Sequence, residues 1–272
     1  MNLDVALTRR QALGRLSLGG WLALGLWPGA LRAGNSPGGK TFAFVVLNDT
    51  HCQSPECLTY LAGAVRAMKG QGPTLCLHAG DLTDKGEARW MAGARDALAK
   101  LAVPVYTVPG NHDYASQTDR QGYEKTFPNR INYWFTHEGW QFVGLDTTEG
   151  QHYKDTRIAP ATFSWLDENL VRLNPRLPTV VFTHFPLGAG APMRPLNAED
   201  LLTRFVPFNL QAVYCGHHHG FTEHPFHQAA VTTNRCCSLK RANHDGTKAK
   251  GFFVCTAADG HVQRQFVEYQ PA

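Results

Sequence analysis

Phe42-Ala43-Phe44-Val45-Val46-Leu47-Asn48-Asp49-Thr50-His51 places an apolar run of strand length directly ahead of a carboxylate and an imidazole. A continuous apolar run, without polar alternation, reads as a strand covered on both faces. The arrangement recurs along the chain. Leu75-Cys76-Leu77 leads to Gly80-Asp81-Leu82-Thr83-Asp84, and Val103 to Val108 leads to Gly110-Asn111-His112-Asp113. Val180-Val181-Phe182 leads to Thr183-His184, and Ala212-Val213-Tyr214-Cys215 leads to Gly216-His217-His218-His219. Five strands would therefore deliver carboxylates, imidazoles and one amide to the same edge of a sheet, which is how a metal site is built.

The segments between these runs carry helical patterns. Ser54-Pro55-Glu56 offers an N-cap, a first-turn proline and an acidic first turn to a helix ending near Gly70. A second helix is expected from Glu87 to Leu101, with Trp90, Ala94, Ala97 and Leu101 at helical spacing. A third covers Thr162 to Leu173, and a fourth, capped by Asn197, runs to Phe205. Alternation of strand and helix predicts an α/β architecture with ligands at the carboxyl ends of the strands. Ala229 to Thr233, Gly251 to Thr256 and Gln263 to Tyr269 read as further strands, the last two joined by a turn at Asp259-Gly260, so the sheet is expected to be mixed.

The residue types define the chemistry. One carboxylate shared by two cations, flanked by imidazoles and a neutral amide, suits Mn, Fe or Zn better than copper or an iron–sulfur cluster. Two such ions about 3.5–4 Å apart would share a hydroxide nucleophile and clamp the oxygens of a phosphoryl group. An amide oxygen such as that of Asn111 coordinates without adding charge that repels a phosphate.

The order D-x-H, G-D-x-x-D, G-N-H-D, H, G-H-x-H over residues 41 to 220 resembles the calcineurin-like metallophosphoesterases. The resemblance implies a four-layer α-β-β-α sandwich with two mixed sheets. It implies that Asp49, His51, Asp81 and His219 hold one metal ion and that Asp81, Asn111, His184 and His217 hold a second, with Asp81 as the bridge. By the same resemblance His112 protonates the leaving oxygen and Asp84 hydrogen-bonds the other nitrogen of its ring; Asn111, His112 and Tyr114 are the candidate substrate contacts. His218 and Asp113 fall at positions the family leaves free of metal. The implied cofactors are two divalent or trivalent ions, Mn, Fe or Zn.

Departures from the family pattern narrow the subgroup. Purple acid phosphatases place an iron-binding tyrosine after the second block, where this chain has Asp84 and Lys85; Ser/Thr protein phosphatases continue with Arg-Gly, where it has Lys85-Gly86. Leu145-Asp146-Thr147-Thr148, Trp165-Leu166 and Thr183-His184-Phe185-Pro186-Leu187 look more like the bacterial cyclic-nucleotide phosphodiesterase branch.

The first 33 residues differ in kind. Arg9-Arg10 precede an apolar, Gly-diluted run from Leu16 to Leu26, too short to span a bilayer, and the segment ends in small residues at Ala30 and Ala33. Thr8-Arg9-Arg10-Gln11-Ala12-Leu13 resembles a twin-arginine export signal. The expected organisation is thus an export signal over 1–33, a linker over 34–40 and a phosphoesterase domain over 41–272, with the twin-arginine machinery as partner, an exported, periplasmic location and no stable membrane anchor. Removal of residues 1–33 takes away four Arg and one Asp and brings the net charge from +4 to +1. A near-neutral domain gives no electrostatic ground for nucleic acid as the main ligand. The seven cysteines are odd in number and lack zinc spacing; buried free thiols are expected, with oxidation of Cys52 with Cys57, or of Cys236 or Cys237, as the alternative.

Substrate choice is expected in loops over the metals: Tyr114 to Phe135, Leu187 to Asn197, Phe221 to His227 and Arg241 to Lys250. Tyr114, Tyr123, Tyr133, Trp134 and Phe221 could line a pocket there or pack locally, and Arg241, Lys248 and Arg130 could meet a phosphate or be solvated. The reading is an exported phosphoesterase that takes a small-molecule phosphodiester or phosphomonoester. Its alternatives are a nuclease of the same superfamily and a non-catalytic metal-binding module.

Overall fold

A computed structural model describes Lys40–Pro271. The export signal expected over residues 1–33, and the expected linker apart from Lys40, lie outside the described residues. Among the described residues no helix is long and apolar enough to cross a membrane.

The chain folds as two sheets packed face to face with helices on both outer faces. The first sheet contains β1 (Phe42–Leu47), β2 (Leu75–His78), β3 (Val105–Thr107), β10 (Gly251–Ala258) and β11 (His261–Glu268) in the order β11-β10-β1-β2-β3. The second contains β4 (Tyr133–His137), β5 (Trp140–Leu145), β6 (Thr179–Thr183), β7 (Leu210–Cys215), β8 (Thr222–Phe226) and β9 (Ala229–Thr233) in the order β4-β5-β6-β7-β9-β8. The first sheet joins parallel β1-β2-β3, with β3 at its edge, to antiparallel β10 and β11, and the second flanks parallel β5-β6-β7-β9 with antiparallel β4 and β8, so both are mixed.

The apolar runs show why the layers form. Successive side chains of a strand point to opposite faces. Phe42, Phe44 and Val46 of β1 enter the core between the sheets, with Phe142, Phe182 and Tyr214 from the second sheet. Val45 and Leu47 of the same strand point to the other face, onto helix α1 (Pro55–Lys69) and helix α2 (Ala88–Ala99). Helix α1 buries Cys57, Tyr60, Leu61, Ala64, Val65 and Met68, a stripe at three- and four-residue spacing, and it begins with Ser54 Oγ accepting from the Cys57 N–H. On the far side, Val143, Val181 and Val213 pack against Leu166 of α4 (Pro160–Asn169) and Leu201 of α5 (Ala198–Thr203). The short α3 (Gln121–Thr126) completes the helices among the described residues.

The structure corrects some local expectations and decides others that the residues left open. Asn197 stands at the N-cap of α5 as expected, but its side chain makes no cap bond: its Oδ1 accepts from Ile158 N and its Nδ2 donates to Ile158 O, each at 2.9–3.0 Å, so it ties two segments together instead. Phe221 to His227 is not a loop over the metals, because Thr222–Phe226 pairs with β9 as an edge strand. Tyr123 and Tyr133 are buried with hydroxyls bonded to Thr107, and Arg130 lies over the Tyr106 and Tyr133 rings, so these three serve packing rather than a substrate pocket. All seven cysteines are buried and free.

Candidate metal centre

The site forms at the shared carboxyl-end rim of both sheets, not at the edge of one. Loops after β1, β2 and β3 bring Asp49, His51, Asp81, Asn111 and His112, while loops after β6 and β7 bring His184, His217 and His219. The first two loops are zipped together: Asp49, His51 and Cys52 donate backbone N–H bonds to Gly80, Asp81 and Leu82. Asp49, His51, Asp81, His217 and His219 all have positive φ, between 44° and 69°. Such backbone costs about 1–3 kcal/mol per residue and persists only where surrounding bonds hold it. Two glycines allow the close approach. A Cβ on Gly110 would sit 2.0 Å from Asp81 Oδ1, and one on Gly216 would sit 2.6 Å from Asp49 Oδ2.

Three groups of donor atoms result: His51, Asp84 and His112 form one, and the other two hold the residues expected as ligands. Asp49, His51, Asp81 and His219 converge within 4.8 Å of one another, and so do Asp81, His184 and His217. Asp81 belongs to both. Its Oδ2 is 3.5 Å from His51 Nε2 and its Oδ1 is 3.4 Å from His184 Nε2. Asn111 Oδ1 joins His184 and His217 at 3.2 Å from His184 Nε2. All seven residues expected as ligands are thus brought together, each buried. Asp49 directs Oδ2 to Asn48 Nδ2 and the His217 N–H, leaving Oδ1 toward His51 and His219.

The outer nitrogens of three imidazoles explain the orientation of the inner ones. His184 Nδ1 donates to Ala79 O at 2.9 Å, His217 Nε2 to Tyr153 O at 2.7 Å, and His219 Nδ1 to Ala242 O at 3.1 Å. Each bond fixes a tautomer whose other nitrogen presents a lone pair to the centre. There the lone pairs face other acceptors: His219 Nε2 meets Asp49 Oδ1 at 3.1 Å, and His184 Nε2 meets Asn111 Oδ1. Acceptors aimed at acceptors in a buried space call for cations between them. The donor set, imidazole, carboxylate and amide oxygen, fits two borderline or hard ions.

Without a metal, protons take that place. Burial opposes charging of His51, but Asp49, Asp84 and Asp81 outweigh it and raise the pKa to about 9. His184 is likewise opposed by burial and raised to about 9 by Asp81 and Asp49. His217 moves the other way, to about 3, through burial and the neighbouring His184. Asp81 is held below the usual carboxylate range by its histidines in spite of burial.

The expected Asp84–His112 bond forms, through the main chain of Asp84 rather than its side chain. His112 Nδ1 donates to the backbone carbonyl of Asp84 at 2.8 Å, not to its carboxylate. The carboxylate turns to Arg241, whose Nε and Nη2 both donate to Oδ1, and it stands 3.4 Å from His51 Nδ1. A guanidinium, with its fixed charge and paired N–H groups, binds the carboxylate in place of the ring N–H. His112 is held in addition by its N–H on Asp81 Oδ1 at 2.8 Å. Asp113 accepts from the Thr83 and Gly110 N–H groups and braces the loop. The ring of His218 lies 5.8 Å from that of His244, and His218 is in none of the three donor groups.

Beside His112 opens a cleft of about 440 Å³, lined by Asp84, Lys85, Asn111, Tyr114, Tyr153 and Arg241 among others. Tyr114 lies on its wall, but its hydroxyl is engaged by Thr148 and Arg120. Sequence reasoning did not find Ala79, Tyr153 and Ala242, which act through backbone carbonyls and have no residue-type signal. Arg241 carried the signal of a basic residue in a candidate loop, without its partner.

Fold and site define a metal-dependent phosphoester hydrolase. The Calcineurin-like phosphoesterase family profile matches residues 42–221, and the chain belongs to that family. It is 26% identical over 216 residues to a glycerophosphodiester phosphodiesterase of Enterobacter lignolyticus, covering 69% of this chain and 74% of that protein. A 3',5'-cyclic-nucleotide phosphodiesterase of Nostoc sp. is 30% identical over 112 residues, 41% of each chain. The solved structure of a dimetal phosphatase from Danio rerio has the same fold, with TM-score 0.62 at 15% identity over 82% of this chain and 98% of that one.

Proposed function

We propose that this chain is an exported, binuclear-metal phosphodiesterase acting on small-molecule phosphate esters. The observation that carries the reading is Asp81, whose two oxygens face two separate groups of ligands. One ion would be held by Asp49, His51, Asp81 and His219, the other by Asp81, Asn111, His184 and His217. Mn, Fe or Zn suits these donors, and when bound such ions supply Lewis-acid charge to phosphoryl oxygens and activate water.

The chain's own groups supply the rest. The Nδ1–H bond of His112 to Asp84 O leaves Nε2 as the ring nitrogen available to the cleft. As an imidazolium it gives its Nε2 proton to the departing oxygen while the phosphorus–oxygen bond breaks, so the alcohol leaves neutral. Asn111, Tyr114 and Tyr153 confine the ester beside it. The named activities of the two sequence relatives, both phosphodiesterases, support a diester over a monoester.

Metal-loaded protein is expected to hydrolyse a bis-aryl phosphate faster than the matching mono-aryl phosphate, and Asp81→Asn to abolish both activities. Full activity in Asp81→Asn overturns the reading. Export rests on the twin-arginine pattern at Arg9-Arg10. Replacing both arginines by lysine should retain the protein in the cytoplasm on fractionation; unchanged export refutes that route.

A further inference from the structure

Arg241 lies beyond the residues matched by the family, in the loop between β9 and β10. It nevertheless reaches the cleft. Its guanidinium is held from one side, since Nε and Nη2 both donate to Asp84 Oδ1. Among the described residues Nη1 has no hydrogen-bond partner, and the side chain is 37% exposed. The main chain beneath it is pinned as well: Arg241 N donates to Ser238 Oγ, Arg241 O accepts from Lys250 Nζ, and the next carbonyl, Ala242 O, holds His219. A guanidinium fixed in this way loses little freedom when its remaining edge meets an anion.

The charge balance of the cleft points the same way. Its formally charged lining residues are Asp84, Lys85 and Arg241. Arg241 offsets Asp84, and Lys85 is exposed and forms no ion pair among the described residues, so one positive charge is left over. Arg241 Nη2 is 3.5 Å from His112 Nδ1, the nitrogen turned to Asp84, so the guanidinium stands against the back of the proton donor's ring and shares the cleft with the departing group.

We infer that Arg241 and Lys85 recognise a second anionic group on the substrate, a phosphate or carboxylate carried by the alcohol that leaves. The inference rests on the phosphodiesterase reading with His112 as the acid. It makes Arg241 a specificity-determining residue, in addition to its hold on Asp84.

Two chromogenic diesters test it: para-nitrophenyl phenyl phosphate, and its analogue with a carboxylate meta to the ester oxygen of the nitrophenyl ring. The wild-type protein should favour the carboxylated leaving group by about tenfold in kcat/KM, mostly through KM, and the preference should shrink with added salt. Arg241→Ala and Lys85→Ala should each bring the ratio toward one, and Arg241→Lys should keep part of it. Lys85 is exposed, so its variant tests recognition without risk to folding. A wild-type ratio of one or less overturns the inference. So does an Arg241→Ala variant that slows both substrates equally, which would leave the arginine only a brace for Asp84. If neither diester is hydrolysed at all, the phosphodiesterase reading fails and takes this inference with it.

Discussion

His51 Nε2 lies 3.1 Å from His219 Nε2, two imidazoles from loops 168 residues apart that meet at one buried point. His219 Nδ1 is committed to Ala242 O, so its inner nitrogen is a lone pair, and His51 answers with a proton when no cation is present. Metal and proton therefore compete for the same place. His51 and His184 both rise from the ordinary 6.5 to about 9 in the metal-free fold. A histidine raised on folding adds stability that is full below its unfolded pKa and is lost as pH climbs through the folded one. Metal-free protein should thus lose stability between pH 6.5 and 9, while metal affinity rises over the same range. Calorimetric titration with Mn or Zn in buffers of different ionisation heat should show proton release on binding. The metal-induced gain in Tm should be larger at pH 8 than at pH 6; a pH-independent gain contradicts this account.

The position of the Asp84 carboxylate separates two roles that the sequence pattern merges. The His112 ring is bonded to a backbone carbonyl, which Asp84→Asn retains. The carboxylate itself serves His51 and Arg241. Loss of a carboxylate behind a ligand histidine typically weakens metal binding about 10–100-fold. Asp84→Asn should therefore require more metal for activity, yet recover kcat to within about fivefold at saturating metal. A large kcat loss that added metal cannot restore would put the carboxylate back on His112.

Proton donation by His112 matters most when the departing oxygen is basic. His112→Ala should lower kcat by about 10²–10⁴-fold on an alkyl diester, and far less on a nitrophenyl ester whose leaving group needs no proton. A series of diesters with graded leaving-group pKa would read this as a steeper dependence in the variant. Parallel lines for wild type and variant would remove His112 from the acid role.

How far the residues announce this centre follows from the physics of parallel strands. β1, β6 and β7 are covered on both faces, so they read as unbroken apolar runs, and the ligands stand where those runs stop. That made the seven donors and the alternation of strand and helix legible. Strand β8 was not, because an edge strand such as Thr-Glu-His-Pro-Phe buries little and looks like a loop. Nor were the bonds from His217 to Tyr153 O and from His219 to Ala242 O, since every residue has a carbonyl and only the fold decides which one arrives. The Arg241–Asp84 pair spans 157 residues, and no local spacing rule reaches that far.

Gly110 gives the sharpest steric test of the shared carboxylate. Its missing side chain leaves room for Asp81, because a Cβ there would lie 2.0 Å from Oδ1 and 2.4 Å from the Asp81 backbone nitrogen. Those atoms belong to a buried loop with left-handed backbone at Asp81, tied by the His51 N–H to Asp81 O, so they have little freedom to retreat. Gly110→Ala must then rotate Asp81 away from one of its two groups of ligands or shift the β3 loop that carries Asn111 and His112. Overpacking of this kind typically costs about 1–3 kcal/mol. The variant is expected to fold with a lowered Tm, to bind fewer than two metal ions per chain by elemental analysis, and to lose at least about 100-fold in kcat/KM. Gly110 has φ −109°, so its substitution adds contact without left-handed strain; Gly72→Ala, at a glycine with φ +65° whose added Cβ meets no atom within 4 Å, adds that strain without contact and so separates the two effects. It should lower Tm modestly and keep both ions. Two ions and wild-type kcat/KM in Gly110→Ala would show that Asp81 does not hold its place through contact with Gly110.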